Sequence, residues 1–155
     1  MAEKRKRLNE RRGQTSKLID HMLVERKQLL ALLLQASNIK SKKPSDSDLD
    51  LLNEFCQVLV DYIAAGHFGL YERIVKKKER RKSVAEVAMQ VYKKIDTTTQ
   101  IALSFNEKYD PDNATTELSR LHEDLSELGE ALTTRIELED RLIQKLFEPA
   151  AAVQA

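Results

Sequence analysis

Tryptophan is absent from this 155-residue chain, cysteine occurs once, and there are only 4 glycines and 3 prolines. A lone Cys56 excludes an internal disulfide, a thiolate zinc cluster and a CxxC redox pair, and it points to a reducing compartment. Few turn formers and 5% aromatic residues disfavour many-stranded sandwiches and barrels. The longest apolar run, Leu29 to Leu34, is far shorter than the roughly 20 residues of a membrane span. The basic N-terminus has no apolar segment of the kind a signal peptide requires. A cytoplasmic protein without membrane contact is therefore expected. There is no G-x-S-x-G elbow and no glycine loop to cradle a phosphate.

What remains is 41% hydrophobic and 33% charged, in a chain long enough to bury one ordinary core. That balance predicts an all-α fold. The net charge of +1 conceals an asymmetry: residues 1–106 carry 21 Lys/Arg against 13 Asp/Glu, and residues 107–155 carry 5 against 12. Residues 1–13 show no apolar period and read as a basic, frayed arm. Residues 14–148 read as one helical-bundle domain, and 149–155 as a flexible tail. The first stripe, Leu18, Ile19, Met22, Leu23, Leu29, Leu30, Leu33 and Leu34, recurs at three- and four-residue steps to about Asn38. A polar loop with Pro44 follows, and Ser45 or Asp46 is placed to cap a second helix through Leu52, Phe55, Cys56, Leu59, Tyr62 and Ile63.

At AAGHFG, residues 64–69, the glycines predict a helix end in the left-handed conformation, then a short helix with Leu70, Tyr71, Ile74 and Val75. Ser83 and Glu86 have capping-box spacing ahead of a stripe from Val84 to Phe105, interrupted at Asp96 to Gln100. Leu118, Leu121, Leu125, Leu128 and Leu132 step by 3, 4, 3, 4, and Ile136 to Phe147 carry the last helix towards Pro149. The simplest burial of these stripes is an antiparallel four-helix bundle with an additional short helix.

Some residues break the pattern. Arg26 and Glu139 each fall inside an apolar arc at 100° per residue, which suggests a buried ion pair, or two stems packed with their charges reaching water. Asp61, about 180° from Leu52, and nearby Glu54 are expected on the solvent face. Phe68, beside two glycines, suits either a plug at the bundle end or an exposed anchor for a partner. For a metal-dependent bundle enzyme the nearest candidates are His67, Glu72, His122 and Glu123, but no Glu-x-x-His pair occurs, so neither cofactor nor metal is expected. Basic tracts at residues 4–12 and 76–82 offer phosphate contacts, as in a helical nucleic-acid-binding protein. They are short and lack interleaved aromatics, so direct nucleic-acid binding is not the expectation.

Residues 51–74, LLNEFCQVLVDYIAAGHFGLYERI, resemble the Rsd/AlgQ family of bacterial anti-sigma factors, whose hallmark is F-C-Q-x-L-V-D-Y followed by A-G-H-F and Y-E-R. The resemblance extends to Lys17–Leu30, KLIDHMLVERKQLL, and to Leu125–Ile143, LSELGEALTTRIELEDRLI. Met22, where relatives carry Trp, the basic arm and the run from Lys76 to Lys82 depart from it. The resemblance implies a non-enzymatic helical bundle that binds the primary sigma factor of RNA polymerase, chiefly its region 4, with no small-molecule substrate. Such binding blocks −35 promoter and core-polymerase contacts and favours alternative sigma factors, typically in stationary phase. Carried over residue by residue, it implies Asp61 as the central charged contact, with His67, Phe68, Glu72 and Glu54 beside it. Arg26 and Glu139 fit the family pattern in a structural role.

Overall fold

The computed structural model describes residues 2–71, 82–110 and 117–147, which include four long helices and no strand. Helix α1 spans Ala2–Ala36, α2 Asp46–Gly66, α3 Lys82–Lys108 and α4 Leu121–Leu146, and a π-helical turn, His67–Tyr71, continues from α2. The bundle is all-α, with α1 packed chiefly on α2 and α3 chiefly on α4.

Helix α1 starts earlier than its apolar period, so the boundary drawn at residue 13 falls inside it. Lys, Arg and Glu hold a helix nearly as well as Ala, and Gly13 alone in this stretch costs about 1 kcal/mol. Ile19 is the first buried residue of α1 among the described side chains. Of the expected stripe, Ile19, Met22 and Leu29 face the core and Leu33 packs against it half-buried, while Leu18, Leu23, Leu30 and Leu34 are exposed; Leu32, outside that stripe, is buried. Adjacent residues lie 100° apart, so only one leucine of each pair can point inward. The helix closes at Ala36, where the Ser37 hydroxyl and amide both donate to the Leu33 carbonyl, at 2.8 and 3.0 Å, and Ile39 tucks into the core.

Ser45 caps α2 reciprocally. Its hydroxyl accepts from the Asp48 amide at 3.1 Å, and the Asp48 carboxylate accepts from the Ser45 amide at 3.0 Å, an arrangement that stabilises a helix start by about 1 kcal/mol. The expected left-handed end at Gly66 does not form. His67 keeps right-handed angles, φ −63° and ψ −53°, and the chain widens into the π turn, which delivers Leu70 and Tyr71 to the interior. Gly66 serves close approach instead: a Cβ there would lie 2.9 Å from Glu139 Oε2 and 3.4 Å from Arg135 Nη2. Ile74, Val75 and the run from Lys76 to Arg81 lie outside the described residues, as does the 149–155 tail.

Helix α3 is described from Lys82 onward, and the expected capping side chain of Ser83 is outside those described. The stripe does not break at Asp96 to Gln100. Thr97 donates its hydroxyl to the Lys93 carbonyl at 3.1 Å, and Thr98 and Thr99 donate to the Ile95 carbonyl at 2.6 and 3.1 Å, so the polar run stays helical by satisfying itself.

Two apolar clusters result. The larger joins Met22, Leu29, Phe55, Leu59, Phe105, Leu121, Leu128 and Leu132, with Phe55 edge-on to Phe105 at 5.7 Å between ring centroids. The smaller gathers Ile19, Leu70, Tyr71, Val91, Ile95 and Leu142. On α3 and α4 the boundary between them carries Thr98, Thr99, Arg135 and Glu139.

Candidate functional site

The chemistry-bearing residues separate into a buried network and an exposed ridge. Glu139 is fully buried on α4, and its carboxylate is the hub. Oε1 accepts from Arg26 Nη2 of α1 at 3.2 Å and from the Tyr62 hydroxyl of α2. Oε2 accepts from Arg135 Nε, one turn earlier on α4, at 3.0 Å. Arg135 is 1% exposed and turns its other end to α3, where Nη1 donates to the Thr99 and Thr98 hydroxyls at 2.7 and 3.1 Å. Arg26 donates Nε to the Tyr62 hydroxyl at 3.1 Å and Nη1 to Asp140 at 2.6 Å, nearer the surface. Two guanidinium groups and two carboxylates thus balance, and all four helices contribute.

The electrostatics follow from burial. Desolvation pushes the Tyr62 hydroxyl well above its ordinary value; Glu139 adds to the rise, and Arg26 opposes it. Burial alone would lower the Arg26 guanidinium, but its bond to Asp140 and its pairing with Tyr62 and Glu139 outweigh that, so it stays charged. Tyr71 is also pushed up, first by burial and then by Glu139, and its hydroxyl has no hydrogen-bond partner among the described residues. Among the described residues, protein donors reach both Glu139 oxygens, which suits a keystone of the packing.

Sequence reasoning placed Arg26 and Glu139 on facing apolar arcs, and here they meet. It missed Arg135, Tyr62, Thr98 and Thr99. A signal was available: Arg135 stands seven residues after Leu128, three after Leu132 and four before Glu139, inside the apolar stripe. The supposed interruption of α3 is the polar surface that receives it.

The ridge lies on α2. Asp50, Glu54, Gln57 and Asp61 recur at steps of four, three and four, and all four are exposed. None of the three acids is ion-paired among the described residues. Glu54 and Asp61 are about 10 Å apart along the axis, two turns on the same face. His67 is exposed where the π turn begins. Phe68 lies within that turn with its side chain outside those described, and Glu72 lies outside the described residues. A line of exposed carboxylates with no ion-pair partner among the described residues offers attraction to a basic surface.

Elsewhere the site candidates are few. His122 and Glu123 are exposed at the start of α4, and the described residues include no group of three His, Cys, Asp or Glu that could hold a metal ion. An open groove between α3 and α4, lined by Gln100, Ser104, Phe105, Lys108, Asp124 and Glu127, has its Asp124 carboxylate occupied by Lys108 Nζ at 2.6 Å and the Tyr109 hydroxyl at 2.5 Å. Among the described residues no helix is long and apolar enough to cross a membrane.

Comparison with known proteins places residues 1–147 in a match to the family described as regulator of RNA polymerase sigma(70) subunit, Rsd/AlgQ. The chain is 37% identical over 144 residues to the regulator of sigma D of Yersinia enterocolitica, covering 88% of this chain and 84% of that protein. It is 35% identical over 154 residues to the regulator of sigma D of Yersinia pseudotuberculosis, covering 95% and 89%. The Salmonella arizonae regulator of sigma D is 36% identical over 148 residues, covering 91% and 88%.

Proposed function

This chain belongs to the Rsd/AlgQ family, regulators of the sigma(70) subunit of RNA polymerase, and from that premise we propose that it acts by seizing region 4 of the primary sigma factor. As a member it is a transcription regulator of the anti-sigma type. Region 4 is a helix-turn-helix with a basic DNA-reading surface, and an acidic ridge competes with promoter phosphates for such a surface. With region 4 occupied, the sigma factor loses its −35 and core-polymerase contacts, and core polymerase becomes available to alternative sigma factors. No bond is made or broken, so the chain is a binding protein in this reading and needs no cofactor.

The observation that supports this reading most is the α2 ridge: an exposed line of Asp50, Glu54 and Asp61, without an ion-pair partner among the described residues, on the same helix that carries the densest family motif. Asp61 is the central contact, Glu54 extends it, and His67, Phe68 and Glu72 follow at the junction. Each lone carboxylate steers encounter as well as holding the complex, so association slows as salt rises.

Calorimetric titration tests the assignment. The full-length chain is expected to bind the primary sigma factor one to one, and not the same sigma factor lacking region 4. Asp61→Ala is expected to weaken binding about tenfold, the loss of one charge-assisted contact, with an unchanged melting temperature because the residue is exposed. Equal binding without region 4, or an Asp61→Ala variant that binds normally, overturns it. Phe68→Ala then distinguishes anchor from plug, since only a plug loses stability along with binding.

A further inference from the structure

Helix α1 carries more leucine than one buried face can use. Residues 29–34 read LLALLL, apolar all the way round the helix, yet within that run only Leu29 and Leu32 are buried and Leu33 is half-buried. A helix apolar on every side is normally covered on every side, and here the outer side of α1 is open. The uncovered leucines form a line. Relative to Leu23, Leu30 lies at about −20° and Leu34 at about +20°, a straight stripe about 16 Å long. Their exposures are 37% for Leu23, 41% for Leu30 and 71% for Leu34.

Helix α4 supplies a second wall. Arg26 Nη1 reaches Asp140 at 2.6 Å, and a Cβ on Gly129 would lie 3.9 Å from Leu33 Cδ2, so the two helices run antiparallel and residues 26–33 of α1 are level with 140–129 of α4. Leu23, Leu30 and Leu34 turn about 50–90° outward from the direction of Arg26 and Leu33. Glu130 and Glu137 turn about 80–100° outward from that of Gly129, and both are exposed, without an ion-pair partner among the described residues. α1 packs far less on α4 than on α2, which leaves the space between these walls open. The result is a groove with leucines along one side and, at the same height, two glutamates about 10 Å apart along the other.

Charge selects the occupant. Glutamates on the rim repel nucleic-acid phosphates and anionic lipid headgroups alike. Lys27 is the one cation beside the stripe, and Asp140 is already held by Arg26, so the groove is net acidic and a second copy of this chain would bring like charge to it. An amphipathic helix satisfies both walls when its apolar residues recur at three- and four-residue steps and Lys or Arg line one border. We propose that the α1–α4 groove is the docking seat for such a helix from a protein partner. Its apolar side chains lie on Leu23, Leu30 and Leu34, and its basic border pairs with Glu130 and Glu137. The groove opens along α4, whereas the acidic ridge runs on α2, so this is a second binding surface with its own partner.

The probe is a fluorescein-labelled synthetic peptide of about 18 residues, with leucines at a and d positions, lysines along one border, and alanine and glutamine elsewhere. Fluorescence anisotropy with the full-length protein is expected to show saturable micromolar binding, and circular dichroism a gain of helix on mixing. Leu30→Gln combined with Leu34→Gln is expected to weaken binding at least tenfold. Glu130→Gln combined with Glu137→Gln is expected to weaken it about three- to tenfold, a loss that shrinks as salt rises. Both double variants should melt within about 2 °C of the parent, since all four side chains are exposed. The proposal is overturned by absence of binding at about 1 mM protein, or by either double variant binding as the parent does. Equal binding of a scrambled peptide of the same composition, or of one with Glu for every Lys, overturns it too. A dimer in sedimentation that the leucine variant dissociates assigns the groove to a second copy, and likewise overturns it.

Discussion

Replacing Glu139 by Gln keeps the shape of the network's hub and removes its charge. The consequence falls mainly on Arg135, which is 1% exposed and has no other carboxylate within bonding distance among the described residues. An amide also offers only one acceptor, where the carboxylate now receives Tyr62, Arg26 and Arg135 on two oxygens. Removing one partner of a buried ion pair costs about 3–5 kcal/mol, because the other is left as an uncompensated buried charge. Set against a total stability of about 5–15 kcal/mol, this is a large share of what holds the fold together. At about 2–4 °C per kcal/mol for a chain of this size, Glu139→Gln is expected to lower the melting temperature by about 6–20 °C. Calorimetry and urea unfolding followed by circular dichroism read this directly. Adding Arg135→Met to Glu139→Gln should recover most of the loss, since removing both charges leaves neither stranded. A single variant within about 1 kcal/mol of the parent, or a double variant no more stable than the single, refutes the assignment of Glu139 and Arg135 as a mutually dependent buried pair.

Gly66→Ala is expected to destabilise by about 1–3 kcal/mol, although Ala elsewhere in a helix gains about 1, because the new Cβ meets Glu139 Oε2 at 2.9 Å; thermal melts decide the sign. Burial, with Asp110 adding to it, pushes the Cys56 thiol up to about 12, so a thiol reagent at about pH 8 should label native protein only as fast as it unfolds. Rapid labelling without denaturant contradicts that burial. Asp124 sits below its ordinary value of 3.8: desolvation raises it, but its bonds from Lys108 and Tyr109 lower it more. A depressed folded value means the stabilisation is present above about pH 4 and fades as pH falls through the folded value. Asp124→Asn should therefore cost up to about 1 kcal/mol near neutrality, with the gap to the parent closing in acid; an equal gap at about pH 2 and 7 counts against it.

The parts of the fold legible in sequence were those governed by period and punctuation. The leucines of α4, the Ser45 cap after Pro44 and the stripe of α2 lie where the spacing puts them, because burial of one helix face is a local rule that tertiary packing seldom overrides. Arg26 and Glu139 stood out as charges on apolar arcs. Arg135 did not, since a reading that sorts residues into stripe and surface steps over a cation among leucines, and Thr98 and Thr99 looked like a gap until their partner was placed. The π turn has no sequence period of its own, and Gly66 signalled a close neighbour where a left-handed turn was the local inference. Residues 2–13 lacked an apolar pattern, but helix propensity needs none. For the ridge, the period of α2 put Asp61 and Glu54 on the solvent face, and the motif alone singled them out from other exposed acids.

The charged layer between the two apolar clusters also acts as an alignment mark. Leucine stripes are nearly interchangeable under translation, and a bundle held by them alone has several near-equivalent ways to stack its helices. Sliding α4 by one turn, about 5.4 Å, would still put leucine against leucine. It would also carry Arg135 away from Thr98 and Thr99 and Glu139 away from Tyr62 and Arg26, stranding charges in hydrocarbon. A buried polar residue in a coiled coil selects one register by the same penalty. The layer thereby sets where the outside of the bundle ends up: with α1, α2, α3 and α4 held to one level, the ridge of α2 keeps a constant height against its neighbours, and a partner that reads it meets the same spacing in every molecule.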